Sequence, residues 1–363
     1  MKIAVVGNLG NIGYAYTRAM REIGHEADLF ITCKKHKIID SQNPWNSENP
    51  PDKNILWIKT IETDNIFSSF IECARKLPKY DVVLAITTSP IYCQFFTKKL
   101  ISICTGSDIR DYVWQKGVKP WLLKQSYKKS YHIFVPFSEM HWAPQKIGIE
   151  KKSSPLFVAI NPQPFDEIKT NQKNNKLTIF CPASWIINRH DSKGLNKLLN
   201  AITNLLDQGY DFNTILIDHS KNENVSIEDK TYILEKIKKY PLNIKIIDRI
   251  KEKKDLIKEY KKCDLVADQF SIGMFGLVGM EALCSQKALM AYFDKKSDRF
   301  YDGETPPILN CYQENEIFDT LKKILDREIS RENLLSLGQK GYDWIIKWHD
   351  EKTVIKSMIK KIQ

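Results

Sequence analysis

Residues 264–283 read DLVADQFSIGMFGLVGMEAL and contain the local pattern on which the fold prediction rests. The apolar run Leu265–Ala267 predicts a short buried strand, the glycine-bearing stretch after it predicts a loop, and the residues from Gly279 onward predict a helix. Loop amides and a helix N-terminus in this arrangement suit an anionic phosphate. Glu281, in the first turns of the helix, has two compatible interpretations. It accepts hydrogen bonds from a ribose diol, or it complements the helix dipole.

The alternation of strand and helix extends through the second half of the chain. Between Lys193 and Gly209, leucines and isoleucines recur with helical spacing and mark one apolar helix face. From about Ile317 to the C-terminus the sequence predicts helices, with turns near Gly338 and Gly341. Further strands are predicted at Leu177–Cys181, Thr214–Asp218, Ile244–Ile247 and Ala288–Tyr292, and further helices at Ser226–Lys239, Lys253–Lys262 and Gly279–Cys284.

The first half of the chain shows the same pattern. It begins with a strand at Lys2–Val6, a glycine-bearing turn, and a helix from Asn11 to Gly24. Further strand candidates are Glu26–Thr32, Ile55–Ile58, Val82–Ile86, Leu100–Cys104 and His132–Val135. Short apolar runs separated by helices predict a parallel sheet covered on both faces. The predicted fold class is therefore α/β, with two Rossmann-like domains facing each other across a cleft and ligands beyond the carboxyl ends of the strands.

A linker separates the two halves. The prolines of Asn161–Pro164 and the polar stretch Lys169–Lys176 have linker composition. We predict an N-terminal domain over residues 1–165 and a C-terminal domain over residues 166–345. The last helix, at 346–363, is predicted to pack back on the N-terminal domain.

Composition and charge limit the classes of function. Of 363 residues, 42% are apolar and 27% are charged, as in soluble globular proteins. No apolar run approaches the roughly 20 residues that span a bilayer, and the N-terminal strand leaves no room for a signal peptide, so we expect a cytoplasmic location.

The eight cysteines form no C-x-x-C pair, which argues against a zinc site or a disulfide framework. The net charge is +11. A general richness in lysine explains part of it, and the binding of an anionic phosphate group explains the rest. No nucleic-acid-binding module is present, so we expect no nucleic-acid partner.

Residues 184–194, SWIINRHDSKG, follow the predicted strand Leu177–Cys181 and lead into a helix. Arg189 and Lys193 place two cations beside a positive helix N-terminus, where cations are disfavoured. A bound diphosphate would reverse this penalty, because arginine binds two phosphate oxygens and lysine supplies a point charge. The sequence therefore predicts a diphosphate site at this loop, to which Ser184 is also assigned.

Two loops after strands of the first half are further candidates. Residues 7–13, GNLGNIG, have G-x-x-G-x-x-G spacing, which differs from the dinucleotide fingerprint. They contact an acceptor or phosphate through Gly10 and Asn11, or they simply turn the strand into the helix. Residues 105–110, TGSDIR, either face the cleft or provide turn and N-cap chemistry. The candidate side chains of this second loop are Ser107, Asp108 and Arg110.

Residues 184–194 and 264–283 together resemble the GT-B glycosyltransferase family 4, retaining enzymes that use nucleotide sugars. In that family a strand is followed by an arginine and a Lys-Gly pair, and later by a Phe-Gly-Leu-like loop and an acid that opens a helix. Residues 106–110 also look like the family's segment after the fourth N-terminal strand. The positions that match the second-domain motifs are Arg189, Lys193, Gly194, Phe275, Gly276, Leu277 and Glu281.

The resemblance implies roles for these residues. Arg189 and Lys193 would hold the donor diphosphate, Glu281 the ribose, and the backbone near Arg249 and Ile250 the nucleobase. The Gly10–Asn11 loop would lie beside the sugar or acceptor, and we assign Ser107, Asp108 and Arg110 to the same region. Because cations can stabilise the leaving diphosphate, no bound metal is required. The implied donor is a nucleotide-diphosphate sugar, with UDP or GDP as the favoured nucleotide.

Two positions depart from the family pattern. The family's paired acids stand eight residues apart, which places the first at Gly273 in this chain. Asp268, five residues earlier, is the acid that we expect to approach the sugar, and we assign it to the catalytic site with Arg189 and Lys193. Thr105 stands where the family often has a histidine. Without a placed carboxylate nucleophile, the resemblance implies substitution on the front face of the sugar.

The segment 112–131 is rich in lysine, tryptophan and tyrosine. This composition is typical of an interfacial helix on an anionic membrane, and equally of a solvated basic face with its aromatic side chains packed inward. The membrane interpretation predicts peripheral attachment to the cytoplasmic face and a lipid-linked or glycan acceptor.

The sequence thus favours a glycosyltransferase of cell-surface polysaccharide, lipopolysaccharide or glycoconjugate synthesis. Two alternatives stay open: a non-catalytic nucleotide-sugar-binding partner subunit, and a sugar-nucleotide epimerase of the same architecture.

Overall fold

The computed structural model describes residues 1–34, 37–38, 57–62, 66–168, 176–187, 192–250, 252–274 and 276–363. The chain divides into two units. The first consists of Met1–Asn161 together with Trp348–Gln363, and the second consists of Pro162–Lys347.

A parallel sheet lies at the centre of the first unit. Its described strands are β1 (Lys2–Val6), β2 (Glu26–Lys34), β3 (Lys37–Ile38), β4 (Ile58–Glu62), β5 (Val82–Ile86), β6 (Leu100–Ile103), β7 (His132–Val135) and β8 (Ser153–Pro155). The parallel order is β4-β2-β1-β5-β6-β7-β8, and β3 pairs antiparallel with the end of β2. The helices between these strands are α1 (Ile12–Glu22), α2 (Ile66–Lys76), α3 (Pro90–Cys93), α4 (Ser107–Arg110), α5 (Val118–Lys129), α6 (Phe137–Met140) and α7 (Ala143–Ile147). Because helices cover both faces, β5 is buried along its whole length.

The second unit repeats this architecture. Its strands are β9 (Thr178–Cys181), β10 (Asn213–Ile217), β11 (Ile244–Ile247), β12 (Leu265–Ala267), β13 (Ala288–Ala291) and β14 (Leu309–Asn310), all parallel in the order β11-β10-β9-β12-β13-β14. Its helices are α8 (Gln163–Glu167), α9 (Leu195–Asp207), α10 (Ile227–Lys239), α11 (Lys253–Lys262), α12 (Leu277–Cys284), α13 (Glu314–Leu325) and α14 (Arg331–His349). The last two residues of α14 belong to the first unit. The predicted apolar face of α9 packs on this sheet: Leu195, Leu198, Ile202 and Leu205 are fully buried in the same core as Ile179.

The last helix, α15 (Glu351–Ile362), packs against α1 of the first unit. Its Val354, Ile355 and Met358 side chains are buried in the same core as Ile3 and Met20. The α/β fold class and the return of the C-terminal helix to the N-terminal unit are therefore confirmed.

Two local predictions were wrong. The strand expected at Ile55–Ile58 is found at Ile58–Glu62, and residues 55–56 lie outside the described residues. This strand pairs with β2 at one edge of the sheet and carries partly exposed polar residues such as Lys59, so its apolar content is lower than that of the run before it. The turns expected near Gly338 and Gly341 do not form, because α14 continues through both glycines.

Tertiary packing explains the two glycines. A Cβ at Gly338 would lie 2.3 Å from the Gln286 carbonyl oxygen, and a Cβ at Gly341 would lie 2.5 Å from Leu283 Cδ2. Glycine is therefore used here to bring α14 close to the end of α12, and it does not end the helix.

Candidate functional site

In the second unit, the strand order reverses between β9 and β12. The chain proceeds from β9 to β10 and β11 on one side, and from β12 to β13 and β14 on the other. Loops that leave the carboxyl ends of two such neighbouring strands diverge and leave a crevice, which is the general ligand site of open α/β sheets. The loop after β9 ends at Lys193 and Gly194, and the loop after β12 begins at Asp268.

Lys193 and Asp268 meet at this crevice. The Lys193 Nζ lies 3.6 Å from Asp268 Oδ1, and the lysine side chain is 28% exposed whereas the aspartate side chain is fully buried. Neither carboxylate oxygen of Asp268 has a hydrogen-bond partner among the described residues. A buried carboxylate without hydrogen bonds is costly, so the Lys193 cation is the main described group that compensates its charge.

The backbone fixes this pair in place. The Phe270 amide donates to the Lys193 carbonyl over 2.7 Å, and Gly194 has a left-handed φ of 73° as the N-cap of α9. A Cβ at Gly194 would lie 2.9 Å from the Ser271 Oγ. The Lys-Gly pair is therefore explained locally: lysine supplies the charge, and glycine allows the two loops to touch.

Gln269, which the sequence reasoning missed, holds the second loop. Its Oε1 accepts from the Ile272 amide over 2.7 Å, and its Nε2 donates to the Met274 and Tyr292 carbonyls. The side chain is buried. A buried amide bonded on both sides gives the loop after β12 a defined shape.

Gly273 occupies the position at which the resemblance places the first paired acid. Its φ is 76°, and a Cβ there would lie 3.1 Å from Asp294 Cβ and 3.2 Å from Tyr292 Cε1. The Asp294 amide donates to the Gly273 carbonyl over 2.9 Å. The space that an acidic side chain would enter is therefore filled by residues that follow β13.

Glu281 lies near the middle of α12 and is almost completely buried. Lys253, at the start of α11, forms an ion pair with Glu281 Oε1, and the Tyr260 hydroxyl donates to Oε2 over 2.9 Å. These partners come from a helix that precedes the motif, so the sequence pattern around Glu281 gave no signal for them. Their effect is to fix the carboxylate in one orientation.

Other predicted residues lie at the same edge of the sheet or outside the described part. Ser184 is half-buried in the loop after β9, whereas Arg249 is exposed and Ile250 half-buried after β11. Gly276 and Leu277 are exposed at the start of α12. Two predicted residues, Arg189 and Phe275, lie outside the described residues.

His219, two residues after β10, is a further group that the sequence reasoning missed. Its Nε2 lies 3.4 Å from the Pro182 carbonyl oxygen. Burial lowers the pKa of the imidazole, the contact with Pro182 opposes this shift, and the nearby Arg249 and Lys193 cations add to it. Its place just beyond the carboxyl end of a predicted strand was the one signal that could have identified it as a site residue. No other histidine stands near it in the sequence to strengthen that signal.

In the first unit, the glycine-rich loop after β1 has a mainly structural explanation. A Cβ at Gly13 would lie 2.1 Å from the Gly7 carbonyl oxygen, so this glycine allows α1 to approach the end of the strand. The buried Asn8 caps the helix by accepting from the Tyr14 amide over 2.7 Å. Gly10 is exposed and Asn11, with a left-handed φ of 62°, is half-buried.

The loop after β6 is stabilised by Asp108. The buried carboxylate accepts from the Thr105 and Gly106 amides at 2.9 Å each, and from the Tyr127 hydroxyl at 2.8 Å. Burial raises the pKa of Asp108, and these hydrogen bonds oppose the shift. Asp108 is thus fully engaged inside the fold.

The other two candidates of this loop differ in their contacts. Arg110 Nη1 lies 3.1 Å from the buried Glu139 carboxylate, and its Nε lies 3.2 Å from Asp111. Ser107 is exposed. Among the three, only Ser107 presents its side chain to solvent without a described partner.

The segment 112–131 contains both inward-packed and exposed aromatic side chains. Trp114 packs inward, with its indole donating to the Ile109 carbonyl over 3.0 Å, and Tyr127 is fully buried. Trp121 is 58% exposed on α5. Four of the lysines in the segment are also exposed: Lys116, Lys119, Lys128 and Lys129.

None of the described helices has the length and apolar character needed to cross a bilayer. Among the described residues, no group of three His, Cys, Asp or Glu side chains is arranged to hold a metal ion.

Comparison with known proteins adds to this geometry. No family model matches the chain, and no curated protein matches it either. Among solved structures, HepE of Anabaena in complex with UDP-glucose is similar, with a TM-score of 0.69 at 12% identity over 99% of this chain and 98% of HepE. The fold is GT-B. Sucrose-phosphate synthase of Thermosynechococcus elongatus has a TM-score of 0.68 at 14% identity, covering 99% of this chain and 98% of that chain. A glycosyltransferase of Rickettsia africae has a TM-score of 0.67 at 14% identity, covering 99% and 97%.

Proposed function

We propose that the chain is a glycosyltransferase that uses a nucleotide-diphosphate sugar, with UDP as the first candidate for the nucleotide. The observation that carries the proposal is the Lys193–Asp268 pair at the crevice where the second sheet reverses its strand order. A partly exposed cation beside loop amides and a helix N-terminus suits a diphosphate. The presence of UDP-glucose in the similar structure of HepE supports the same choice.

Each predicted residue has a role in this proposal. Lys193, with Arg189, binds the diphosphate and stabilises the charge that develops as it leaves. Glu281, held by Lys253 and Tyr260, accepts hydrogen bonds from the ribose hydroxyls. The residues that complete the donor site are Ser184, Arg249, Ile250, Phe275, Gly276 and Leu277.

Asp268 acts as a positioning residue in this proposal. Its side chain is fully buried and its described charged partner is Lys193, so it acts on the donor by holding the ammonium group at the crevice. A neutral replacement is expected to affect turnover more than donor binding, because the position of the cation matters most when negative charge develops on the diphosphate.

The proposed reaction proceeds with retention on the front face of the sugar. The bond between the anomeric carbon and the phosphate oxygen breaks, and both of its electrons go to the diphosphate. The acceptor hydroxyl oxygen forms the new bond on the same face. Its proton passes to the leaving phosphate oxygen, so no carboxylate nucleophile or metal is required.

The first unit is proposed to bind the acceptor. Gly10, Asn11 and Ser107 are the exposed or half-exposed candidates at the carboxyl ends of β1 and β6. Asp108 and Arg110 support the loop that carries Ser107. The acceptor class is a glycan or lipid-linked sugar in cell-surface polysaccharide, lipopolysaccharide or glycoconjugate synthesis. The proposed location is the cytoplasmic face of an anionic membrane, contacted through residues 112–131.

A transfer assay tests the proposal. The protein is incubated with UDP- and GDP-sugars and with lipid-linked and free glycan acceptors, and release of the nucleoside diphosphate is measured. We expect acceptor-dependent release that falls by roughly 100-fold in Lys193→Ala, the size of effect seen when one transition-state donor is removed. Lys340→Ala, an exposed lysine on α14, is the matched control and retains activity.

Two further readouts separate the alternatives. Asp268→Asn is expected to lower kcat by tenfold or more with a much smaller change in KM, and NMR of the product reports retention at the anomeric carbon. Thermal stabilisation by UDP or GDP without release in the presence of any acceptor would overturn the transferase proposal in favour of a non-catalytic binding subunit.

A further inference from the structure

Exposed apolar side chains are concentrated on one helical layer of the first unit. The layer is formed by α2, by α3 with the loop after it, and by α5, which pack side by side. Large apolar side chains rarely stay exposed in such numbers on one face unless they meet a partner. The exposed fractions are 75% for Phe67, 51% for Ile71, 49% for Phe95, 70% for Val118 and 58% for Trp121.

The apolar residues of α2 follow helical spacing on its outer face. Phe67, Ile71 and Ala74 are exposed at positions i, i+4 and i+7, whereas Ser69 and Cys73 on the opposite face are buried. This is the pattern of an amphipathic helix whose second apolar stripe faces outward. The stripe cannot be explained by the core of the unit.

Aromatic contacts connect α2 to the next segment of the layer. The ring centroids of Phe70 and Phe95 lie 5.4 Å apart, and those of Phe95 and Phe96 lie 6.3 Å apart. Phe95 is in turn covered by Lys129 of α5, whose Nζ lies 5.1 Å from the ring centroid. Aromatic contacts therefore connect α2 to the loop after α3, and the Lys129 side chain connects this loop to the C-terminal end of α5.

Exposed lysines lie on the same elements and on the loops beside them. Lys98, Lys116, Lys119 and Lys128 are exposed, and no described carboxylate forms an ion pair with any of them or with Lys129. Lysine ammonium groups that are not neutralised by the protein, next to exposed aromatic rings, match the headgroup region of an anionic bilayer in both charge and polarity. A second copy of the same surface would bring lysine against lysine, which disfavours self-association.

We propose that this layer is a membrane-docking surface for an anionic phospholipid bilayer, with Phe67, Ile71, Phe95 and Trp121 inserted at the headgroup boundary and the exposed lysines on the lipid phosphates. The proposal deepens the proposed membrane contact of residues 112–131 by adding α2 and the loop at Phe95. It does not depend on the donor site, since all of its residues belong to the first unit.

Vesicle flotation with the full-length protein tests the surface. Phosphatidylcholine vesicles with and without phosphatidylglycerol are used at about 0.1 M salt, where surface charges still act over roughly 10 Å. The wild-type protein is expected to bind the vesicles that contain phosphatidylglycerol and to show little binding to the neutral vesicles. The triple variant Phe67→Ser, Ile71→Ser, Trp121→Ser is expected to lose tenfold or more of its partition coefficient.

A second variant tests the charge, and a third controls for exposed apolar residues in general. Replacing Lys116, Lys119, Lys128 and Lys129 with glutamine is expected to lower binding by roughly fivefold per lysine near the surface. The control carries Ile227→Ser and Leu242→Ser in the second unit, at residues 82% and 83% exposed. It is expected to bind vesicles as the wild type does.

Each of three results with vesicles overturns the proposal: no binding of the wild-type protein to anionic vesicles, unchanged binding of both surface variants, or an equal loss in the control. Concentration-dependent dimers that disappear in the triple variant, without vesicle binding, would also overturn it and would indicate an interface between copies. The measurement uses no nucleotide, and Lys193→Ala is expected to float like the wild type. Failure of the donor site and failure of this surface are therefore distinguishable.

Discussion

At the scale of single residues, Gly273 shows how the backbone and the neighbouring side chains restrict which residue can occupy a loop position. The backbone there has a φ of 76°, and the direction of a Cβ is blocked by Tyr292 and Asp294. An acid at this position would need both a left-handed backbone and a shift of the residues after β13. Glycine is therefore required by the fold of this loop, whatever the chain does with a donor sugar.

Replacing Gly273 with alanine is expected to lower the free energy of unfolding by about 1–3 kcal/mol, from the left-handed backbone and the crowded Cβ. Gly276→Ala is the control, because Gly276 has a φ of −86° and open space around its Cβ. Urea denaturation of both variants gives the comparison. Equal stabilities for Gly273→Ala and the wild type would show that the loop has a different backbone from the one described.

His349 provides a prediction on pH dependence. The ring is fully buried, its Nδ1 lies 2.9 Å from the Val158 carbonyl oxygen, and burial lowers its pKa from 6.5 to about 4. Between these two values the unfolded chain binds a proton that the folded protein does not. Stability contributed by the neutral ring is therefore complete above pH 6.5 and declines as the pH falls towards 4, by roughly 3 kcal/mol in total.

His349→Asn removes this group while keeping a side-chain amide that can donate to Val158. The stability difference between wild type and variant is expected to shrink by roughly 2–3 kcal/mol from pH 7.5 to pH 4.5. Denaturation curves at both pH values measure it. A difference that stays constant with pH would contradict the neutral, buried state of the ring.

At the scale of elements, α14 shows how tertiary packing overrides a local signal. Glycines at positions 338 and 341 weaken a helix and commonly mark its end, yet α14 runs from Arg331 to His349. The reason is the close approach of Gly338 to Gln286 and of Gly341 to Leu283. This cannot be predicted from sequence, because the partners lie about fifty residues earlier in the chain.

Gly338→Ala tests this explanation. Alanine is the better helix former by about 1 kcal/mol, so a free helix would gain stability. In the folded protein the Cβ would lie 2.3 Å from a backbone oxygen, and we expect a net loss of about 1–3 kcal/mol. Lys340→Ala, on the exposed side of the same helix, is expected to change stability by less than about 0.5 kcal/mol. A stabilised Gly338→Ala protein would contradict the packing.

The strands predicted most accurately are those whose surroundings are simplest. Val82–Ile86 and Leu265–Ala267 were predicted with the bounds that the structure has, because short continuous apolar runs are typical of strands buried on both faces. The edge strand Ile58–Glu62 has only two apolar residues, Ile58 and Ile61, and was misplaced because the run before it is more apolar.

At the scale of the whole molecule, the α/β class could be predicted from the repeated alternation of strand and helix. The return of the last helix was predicted only as part of the architecture that the resemblance implies, because it depends on tertiary packing against α1. The sequence also located the two loops that meet at Lys193 and Asp268, since residues just after strands lie at one edge of a parallel sheet. The partners Lys253, Tyr260 and His219 were missed. They come from other elements of the second unit, and their contacts depend on the packing of those elements.

The central claim is that the crevice at Lys193 binds a nucleoside diphosphate, and calorimetric titration with UDP and GDP tests it most directly. We predict that one of the two binds to the wild-type protein, that Lys193→Ala weakens this binding by tenfold or more through loss of a charge-assisted contact, and that Lys340→Ala binds within about twofold of the wild type. Absence of binding by both diphosphates, or equal affinity of Lys193→Ala and the wild type, would contradict the claim.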